Sequence, residues 1–411
     1  MATEFIEVEI SRVGAQGDGM ANASGETIFI PFALAGERVR VSVLSGRAEL
    51  IEVLQPSGDR VTPVCHHFGK CGGCALQHMA SATYADWKRD QVIAAFRARA
   101  IDADVAPVFI PAGQRRRTVL TARRTDDDLH LGFHAAQSHD LIDIAECPVL
   151  EPRIIAAFAG LKRMLKPLIN RRGEARATVT LTGAGLDVAV SDTDKALTIP
   201  LRSAIAKDAA ALGLARFSID SDPVYEALPP FLTFGGIDVR LPPGIFIQAV
   251  GAAEAEMARL VVDGLGKVKS VVDLFAGIGA LTFPIAARAK VLAVDSEKTA
   301  IAALSDGVRK GSGIKPVTTL VRDLFREPLS ALELNEHDAV VFDPPRAGAE
   351  AQARMLARSK VKTVVAVSCN PATLARDARI LIDGGYKMGR VTPIDQFHYT
   401  PHIEAVVAFK R

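Results

Sequence analysis

Cys369, in "SCNP", lies where an apolar run gives way to a helical pattern. A helix N-terminus favours negative charge, so a thiol there can be held as the nucleophilic thiolate. Asp343, in "DPPRAG", ends a neighbouring apolar run, and Glu404, in "TPHIEAVV", enters a β-type run after Pro401. A thiol and a carboxylate supply a nucleophile and a base, the pair needed to add to a ring carbon and later eliminate from it. The competing reading of Cys369 is a buried core thiol.

The other four cysteines tell a different story. Cys65, Cys71 and Cys74 have the spacing C-x5-C-x2-C within "CHHFGKCGGCALQH", and Cys147 follows in "ECPVL". In a reducing compartment such a cluster points to metal binding or catalysis rather than disulfides. Soft thiolates select zinc or iron–sulfur centres, both commonly four-ligand, and spacing does not choose between them. His66 and His67 offer a possible substitute ligand, although adjacent histidines more often form a surface pair. Gly72 and Gly73 let the backbone turn tightly and aim amides at sulfur.

A third group of residues suits a cofactor. "DLFAGIG", residues 273–279, is a glycine turn centred on Gly277, with no third glycine to complete a dinucleotide fingerprint. Asp295 ends the next apolar run, where a carboxylate can accept bonds from both ribose hydroxyls of an adenosine. Asp323, in "VRDLF", ends a third and can meet the adenine edge. These acids suit an adenosine cofactor with a cationic amino-acid tail and no pyrophosphate, which describes S-adenosylmethionine. Any one of them alone reads equally as a cap at a strand–helix turn. Beside a methyl donor, the Cys369 and Glu404 pair suggests addition–elimination on a pyrimidine.

Three regions must position these groups. Residues 1–57 are short alternating β-type runs punctuated by glycines, about five strands, expected to close as an OB-like barrel. Residues 58–249 begin with the cysteine segment and a helix near 84–99, then mix strands and helices as an α+β domain. Residues 250–411 alternate helices with apolar strands, the pattern of a doubly wound parallel sheet whose ligands bind at the carboxyl ends of the strands.

Composition narrows the classes. Residues that are 49% hydrophobic and 23% charged suit a globular protein, and 411 residues exceed one ordinary core. The start "MATEFIEVEI" lacks a secretory pattern, and the apolar stretch Leu274–Ala287 is too short for a bilayer, so a cytoplasmic protein without a membrane association is expected. A net charge of +2 leaves nucleic-acid binding to local patches. One such patch is "QRRRTVLTARR", residues 114–124, whose bland alternative is a solvated strand edge.

Taken together, "CHHFGKCGGCALQH", "RRRT", "ECPVL", "GIFIQAV", "DLFAGIG", "FDPPRAG", "VSCNPATLARD" and "TPHIEAVV" make the chain resemble the RNA uracil-5-methyltransferases over nearly its whole length. The resemblance implies S-adenosylmethionine-dependent methylation of carbon 5 of a uridine. It implies a TRAM domain, an OB-like RNA-binding unit, at residues 1–57 and a Rossmann-like catalytic domain at 250–411. It further implies that Cys65, Cys71, Cys74 and Cys147 hold a 4Fe–4S cluster, that Cys369 is the nucleophile and Glu404 the base. Gln248, Phe275, Asp295, Asp323 and Asp343 match positions contacting the cofactor or the target base. Val250 stands where the family usually has Asn, Ala276 where Cys is frequent, Ala280 where a polar residue is frequent, and Asp295 where Glu is common. The cluster and TRAM-like module favour 23S ribosomal RNA as the partner; the sequence leaves the oligomeric state open, with a monomer favoured. Transfer-RNA methylation, a non-catalytic RNA-binding protein and an amino-methylase of DNA or protein are the alternatives. The last needs no cysteine nucleophile.

Overall fold

The fold was analysed in a computed structural model, which describes residues 4–44 and 47–411. The N-terminal region forms two three-stranded antiparallel sheets. One contains Glu4–Glu9, Arg38–Leu44 and Arg47–Gln55; the other contains Arg12–Val13, Gly19–Ala23 and Glu26–Ile30. Alternation dictates the packing: Val39 and Val41 point inward with Ile10, Ala21, Ile28 and Ile30 to make one small core. Among the described residues six strands appear where about five were expected, because the first run breaks after Glu9 and resumes at Arg12.

A seven-stranded sheet follows, from Arg117–Arg124 to Asp222–Glu226, antiparallel except for the pair Gly185–Ser191 and Leu214–Ile219. The helices Phe158–Leu165 and Ile199–Ala211 cover its apolar face, with Leu161, Met164 and Phe217 in the shared core. The arginine-rich strand Arg117–Arg124 pairs on both sides, so it is not a solvated edge. Arg116 is already paired with Glu254 at 2.8 Å, and Arg124 bonds the carbonyls of Lys166 and Ile169.

The C-terminal sheet carries the chemistry. Its strands are β1 (Ser270–Leu274), β2 (Lys290–Asp295), β3 (Val317–Val321), β4 (Ala339–Phe342), β5 (Thr363–Ser368), β6 (Lys387–Ile394) and β7 (Glu404–Lys410). They lie in the order β3-β2-β1-β4-β5-β7-β6, with β1 to β5 parallel and β7 antiparallel to both neighbours. Helices cover both faces, which is why β4 and β5 are apolar without alternation. The order reverses between β1 and β4, and a crevice for ligands opens at such a switch point.

Two segments before residue 250 also pack into this C-terminal core. The hairpin Phe231–Phe234 with Ile237–Arg240 buries Leu232, Phe234 and Val239 against Phe283 and Leu304. Helix Ser81–Arg97 inserts Val92 and Phe96 beside Leu374 and Leu381. No helix among the described residues is long and apolar enough to cross a membrane.

Candidate active site

The sheet order brings the dispersed residues together. β1, β2, β3, β4 and β5 end, respectively, at the Phe275–Gly279 turn, Asp295, the segment leading to Asp323, Asp343 and Cys369. Because β7 runs antiparallel to β5, its first residues lie at that same end: Ala405 is in register with Ser368. This register sets Glu404 beside Cys369, although 35 residues separate them in the chain.

Glu404 is 3% exposed, and burial pushes its carboxyl up to about 8, with Asp343 adding like-charge repulsion. Its Oε1 accepts from Gln396 Nε2 at 2.8 Å, whereas its buried Oε2 has no partner. Asp343 is likewise raised to about 7 by burial, and its Oδ2 accepts from Gln248 Nε2 at 3.0 Å. Cys369 stands immediately before Asn370, whose side chain caps the helix Pro371–Asp383. The helix end does not lower the thiol as expected. Burial first, then Glu404 and Asp343, push it up to about 11, against the pull of Arg346. The resting thiol is therefore protonated, and a positive charge entering the crevice favours its ionisation.

The glycine turn is tightly shaped. Phe275, Gly277 and Gly279 all have positive φ, and a Cβ at Gly277 would meet nothing within 4 Å, leaving its backbone open to a ligand. Asp295 Oδ2 accepts from Gly277 N at 2.8 Å, and its Oδ1 accepts from Glu297 N at 2.8 Å. Asp323 Oδ1 accepts from Phe325 N at 3.0 Å. Asp295 thus ties its own turn to the glycine turn of the neighbouring strand, and Asp323 braces its own. Asp273 is buried with Oδ1 unpartnered, and burial raises its carboxyl to about 7. The orphaned acceptor on Asp273, with an open glycine backbone, suits a ligand that combines an amine cation with an adenosine.

Cys65, Cys71, Cys74 and Cys147 line one cavity of about 250 Å³ that also reaches Arg115, Gln248 and Phe397. The thiols are near enough to raise one another: Cys147 is pushed up to about 11 by burial and then by Cys74, Cys65 and Cys71. Gly73 N donates to Cys71 Sγ at 3.4 Å. Among the described residues no three His, Cys, Asp or Glu side chains close on a single ion. The thiols ring a space rather than meet at a point. His66 and His67 instead bond Glu146 and the amide of Ala145.

Comparison with known proteins gives the family. Residues 216–411 match the family model described as tRNA (Uracil-5-)-methyltransferase. An uncharacterized RNA methyltransferase of Brucella suis is 46% identical, covering 98% of both chains. The 23S rRNA (uracil(1939)-C(5))-methyltransferase RlmD of Aeromonas salmonicida is 30% identical over 99% of this chain and 96% of its own. The chain belongs to the RNA (uracil-5-)-methyltransferase family. It is an S-adenosylmethionine-dependent enzyme that acts on RNA. The Pyrococcus abyssi tRNA (uracil-54, C5)-methyltransferase, solved with S-adenosyl-L-homocysteine, shares the fold with a TM-score of 0.75 at 23% identity, covering 98% of this chain and 99% of its own.

Three residues of this methyltransferase's crevice escaped the sequence reading. Gln396, 1% exposed, joins Gln248 to Glu404. Arg346 is the cation acting on Cys369 and bonds His402 at 2.8 Å. Phe325 stacks at 5.5 Å on Phe275 and is 50% exposed. Arg346 lies inside "DPPRAG" and was open to notice, but nothing local marks Gln396.

Proposed function

We propose that this methyltransferase forms 5-methyluridine in 23S ribosomal RNA through a covalent adduct on Cys369. The observation that carries the reading is the pairing of Cys369 with Glu404, whose buried Oε2 has no partner. The RlmD relative at 30% identity supports ribosomal over transfer RNA as substrate.

In this scheme the target uridine leaves its stack and enters the crevice. The Cys369 thiolate adds to C6, and the displaced electron pair makes C5 enolate-like. S-adenosylmethionine supplies the methyl group as an electrophilic carbon on a sulfonium. Glu404 Oε2 then takes the C5 proton. The C–H electron pair re-forms the C5–C6 double bond as the C6–S bond breaks, and Cys369 departs as thiolate. Asp343 orients the base edge. Phe275, Gly277, Asp295 and Asp323 hold the adenosine portion, and Gln248 fixes Asp343.

Cys65, Cys71, Cys74 and Cys147 are the proposed ligands of a 4Fe–4S cluster. Four soft thiolates around one cavity, with a backbone amide aimed at sulfur, match its donor chemistry. The methylation requires no electrons, so the role of the cysteine site is to hold the chain in shape. Residues 1–57 are read as a TRAM-like, OB-like unit that binds RNA, residues 58–249 as the domain bearing the cysteines, and 250–411 as the catalytic domain. The hairpin at 231–240 and the helix at 81–97 pack on the catalytic domain.

The test is nucleoside mapping of 23S and transfer RNA after reaction with the wild type, Cys369→Ser and Glu404→Gln. The wild type should methylate 23S transcript at C5 of uridine, Cys369→Ser should transfer no methyl, and Glu404→Gln should trap a covalent RNA adduct. Normal transfer by Cys369→Ser would end the covalent scheme. Methylation of transfer RNA alone would reassign the substrate.

A further inference from the structure

The buried amide of Gln396 uses its hydrogen-bonding capacity in one consistent way. Its two Nε2 hydrogens go to Gln248 Oε1 at 2.7 Å and Glu404 Oε1 at 2.8 Å, and its Oε1 accepts from Ala249 N at 3.1 Å. Flipping this amide would set its oxygen against two acceptors and its NH₂ against an N–H, so the network fixes its orientation. The neighbouring amide is fixed in turn, because Gln248 accepts from Gln396 and donates to Asp343. Two carboxylates are therefore joined by two oriented amides, in the order Asp343, Gln248, Gln396, Glu404.

This polarity has a chemical consequence. Glu404 Oε1 accepts from Gln396, which leaves Oε2, the oxygen without a partner, as the open position for a proton gained by Glu404. We propose that Gln396 is the positioning residue for proton abstraction: its amide locks Oε1 of Glu404 and reserves Oε2 for the C5 proton. The proposal rests on Glu404 being the base. The charged and titratable groups acting on Glu404 and Cys369 are Asp343 and Arg346, and Gln396 is the neutral donor among them. The strap carrying Gln396 is anchored from behind. The adjacent Asp395 accepts from Lys88 Nζ at 2.8 Å and Tyr84 OH at 2.7 Å, both on helix Ser81–Arg97.

The test uses the full-length chain, S-adenosylmethionine and 23S transcript labelled with tritium at C5 of uridine. Tritium release reads proton abstraction, and a denaturing gel reads the covalent adduct. Gln396→Met keeps the length and removes both donors. It should slow tritium release about 10–100-fold, less than the ~10²–10⁴-fold of losing the base itself. The adduct should form at the normal rate and persist, with unchanged S-adenosylmethionine affinity. The acid limb of tritium release should move to higher pH, because the lost donor no longer favours the carboxylate. Gln396→Asn, too short to reach both partners, should fall between, and carries the test if the Met variant fails to bind S-adenosylmethionine. Release at the wild-type rate, or equal slowing of adduct formation and release, overturns the assignment. If Glu404→Gln traps the adduct while Gln396→Met behaves as wild type, only the positioning role falls. If Glu404→Gln traps nothing, the base reading falls and the proposal falls with it.

Discussion

Glu404→Gln should stabilise the ligand-free protein, increasingly so as pH rises. Burial and Asp343 hold the Glu404 carboxyl at about 8 in the fold, against an ordinary value of 4.5. A raised carboxyl favours the folded state fully below its unfolded value, and that benefit is lost as pH rises towards the folded value. At about 1.36 kcal/mol per pH unit, the whole span amounts to ~5 kcal/mol. Relaxation and water entry around a buried charge reduce this ceiling, so about 2 kcal/mol by pH 8 is the working expectation. Glutamine cannot ionise, and its oxygen can still accept from Gln396. The gap between variant and wild type should therefore be small near pH 5, widen up to pH 8, and stay level beyond. Urea denaturation followed by fluorescence of Trp87, the chain's only tryptophan, reads this locally because Trp87 lies on the helix that anchors the strap. A gap that does not change between pH 5 and 8 would refute the reasoning. It would mean that the carboxylate finds solvation or a partner in the ligand-free fold.

Lys88→Met should cost about 3 kcal/mol, the low end for breaking a buried ion pair, because Tyr84 and His398 still bond Asp395. Adding Asp395→Asn should recover most of the loss in the same denaturation assay. If the cysteines hold the proposed cluster, Gly72→Ala should lower iron and sulfide content while leaving S-adenosylmethionine affinity intact, since a Cβ there would stand 2.8 Å from the His134 carbonyl oxygen. Gly279→Ala should weaken S-adenosylmethionine binding about tenfold by calorimetry, through backbone strain of roughly 1–3 kcal/mol. Its φ is +98° and its Cβ would press on Phe283 at 2.6 Å.

The catalytic sheet was legible because its central strands are apolar and their ends carry unusual residues. "AVVF" before Asp343 and "TVVAVS" before Cys369 have no periodicity that a helix would need. The N-terminal strands were legible by alternation, though the short pair at Arg12–Val13 was not. The strand-edge alternative for the arginine stretch failed because local charge says nothing about sheet position; pairing on both sides came from strands as far away as Glu174–Thr182. The packing of the hairpin at 231–240 was not legible, because its apolar residues meet Phe283, Ala293 and Leu304, which lie well along the chain. Gln396 was invisible for a similar reason. Its meaning lies in Gln248, 148 residues away, and no local pattern encodes that contact.

The cysteine segment and Glu404, the proposed base, meet on one stretch of chain, and this bears on why a reaction without electron transfer would carry four clustered thiols. Ala75 N and Leu76 N, next to Cys74, both donate to the carbonyl of Tyr399, at 2.8 and 3.1 Å. Arg115, whose charge acts on Cys74, donates to the carbonyl of His398 at 3.4 Å and lies over the Phe397 ring at 5.9 Å. The segment from Asp395 to His402 is thus held by the cysteine loop on one side and by helix Ser81–Arg97 on the other. It leads directly into Glu404, and it carries Gln396. Loops are the least stable parts of a fold unless tied down, and proton abstraction tolerates little displacement of the base. The cluster proposed for the thiol-lined cavity would supply such a tie without joining the chemistry. The anchoring from two sides also accounts for burying Lys88 and Asp395, a pair whose desolvation makes it weak as a source of stability but which fixes one geometry for the strap.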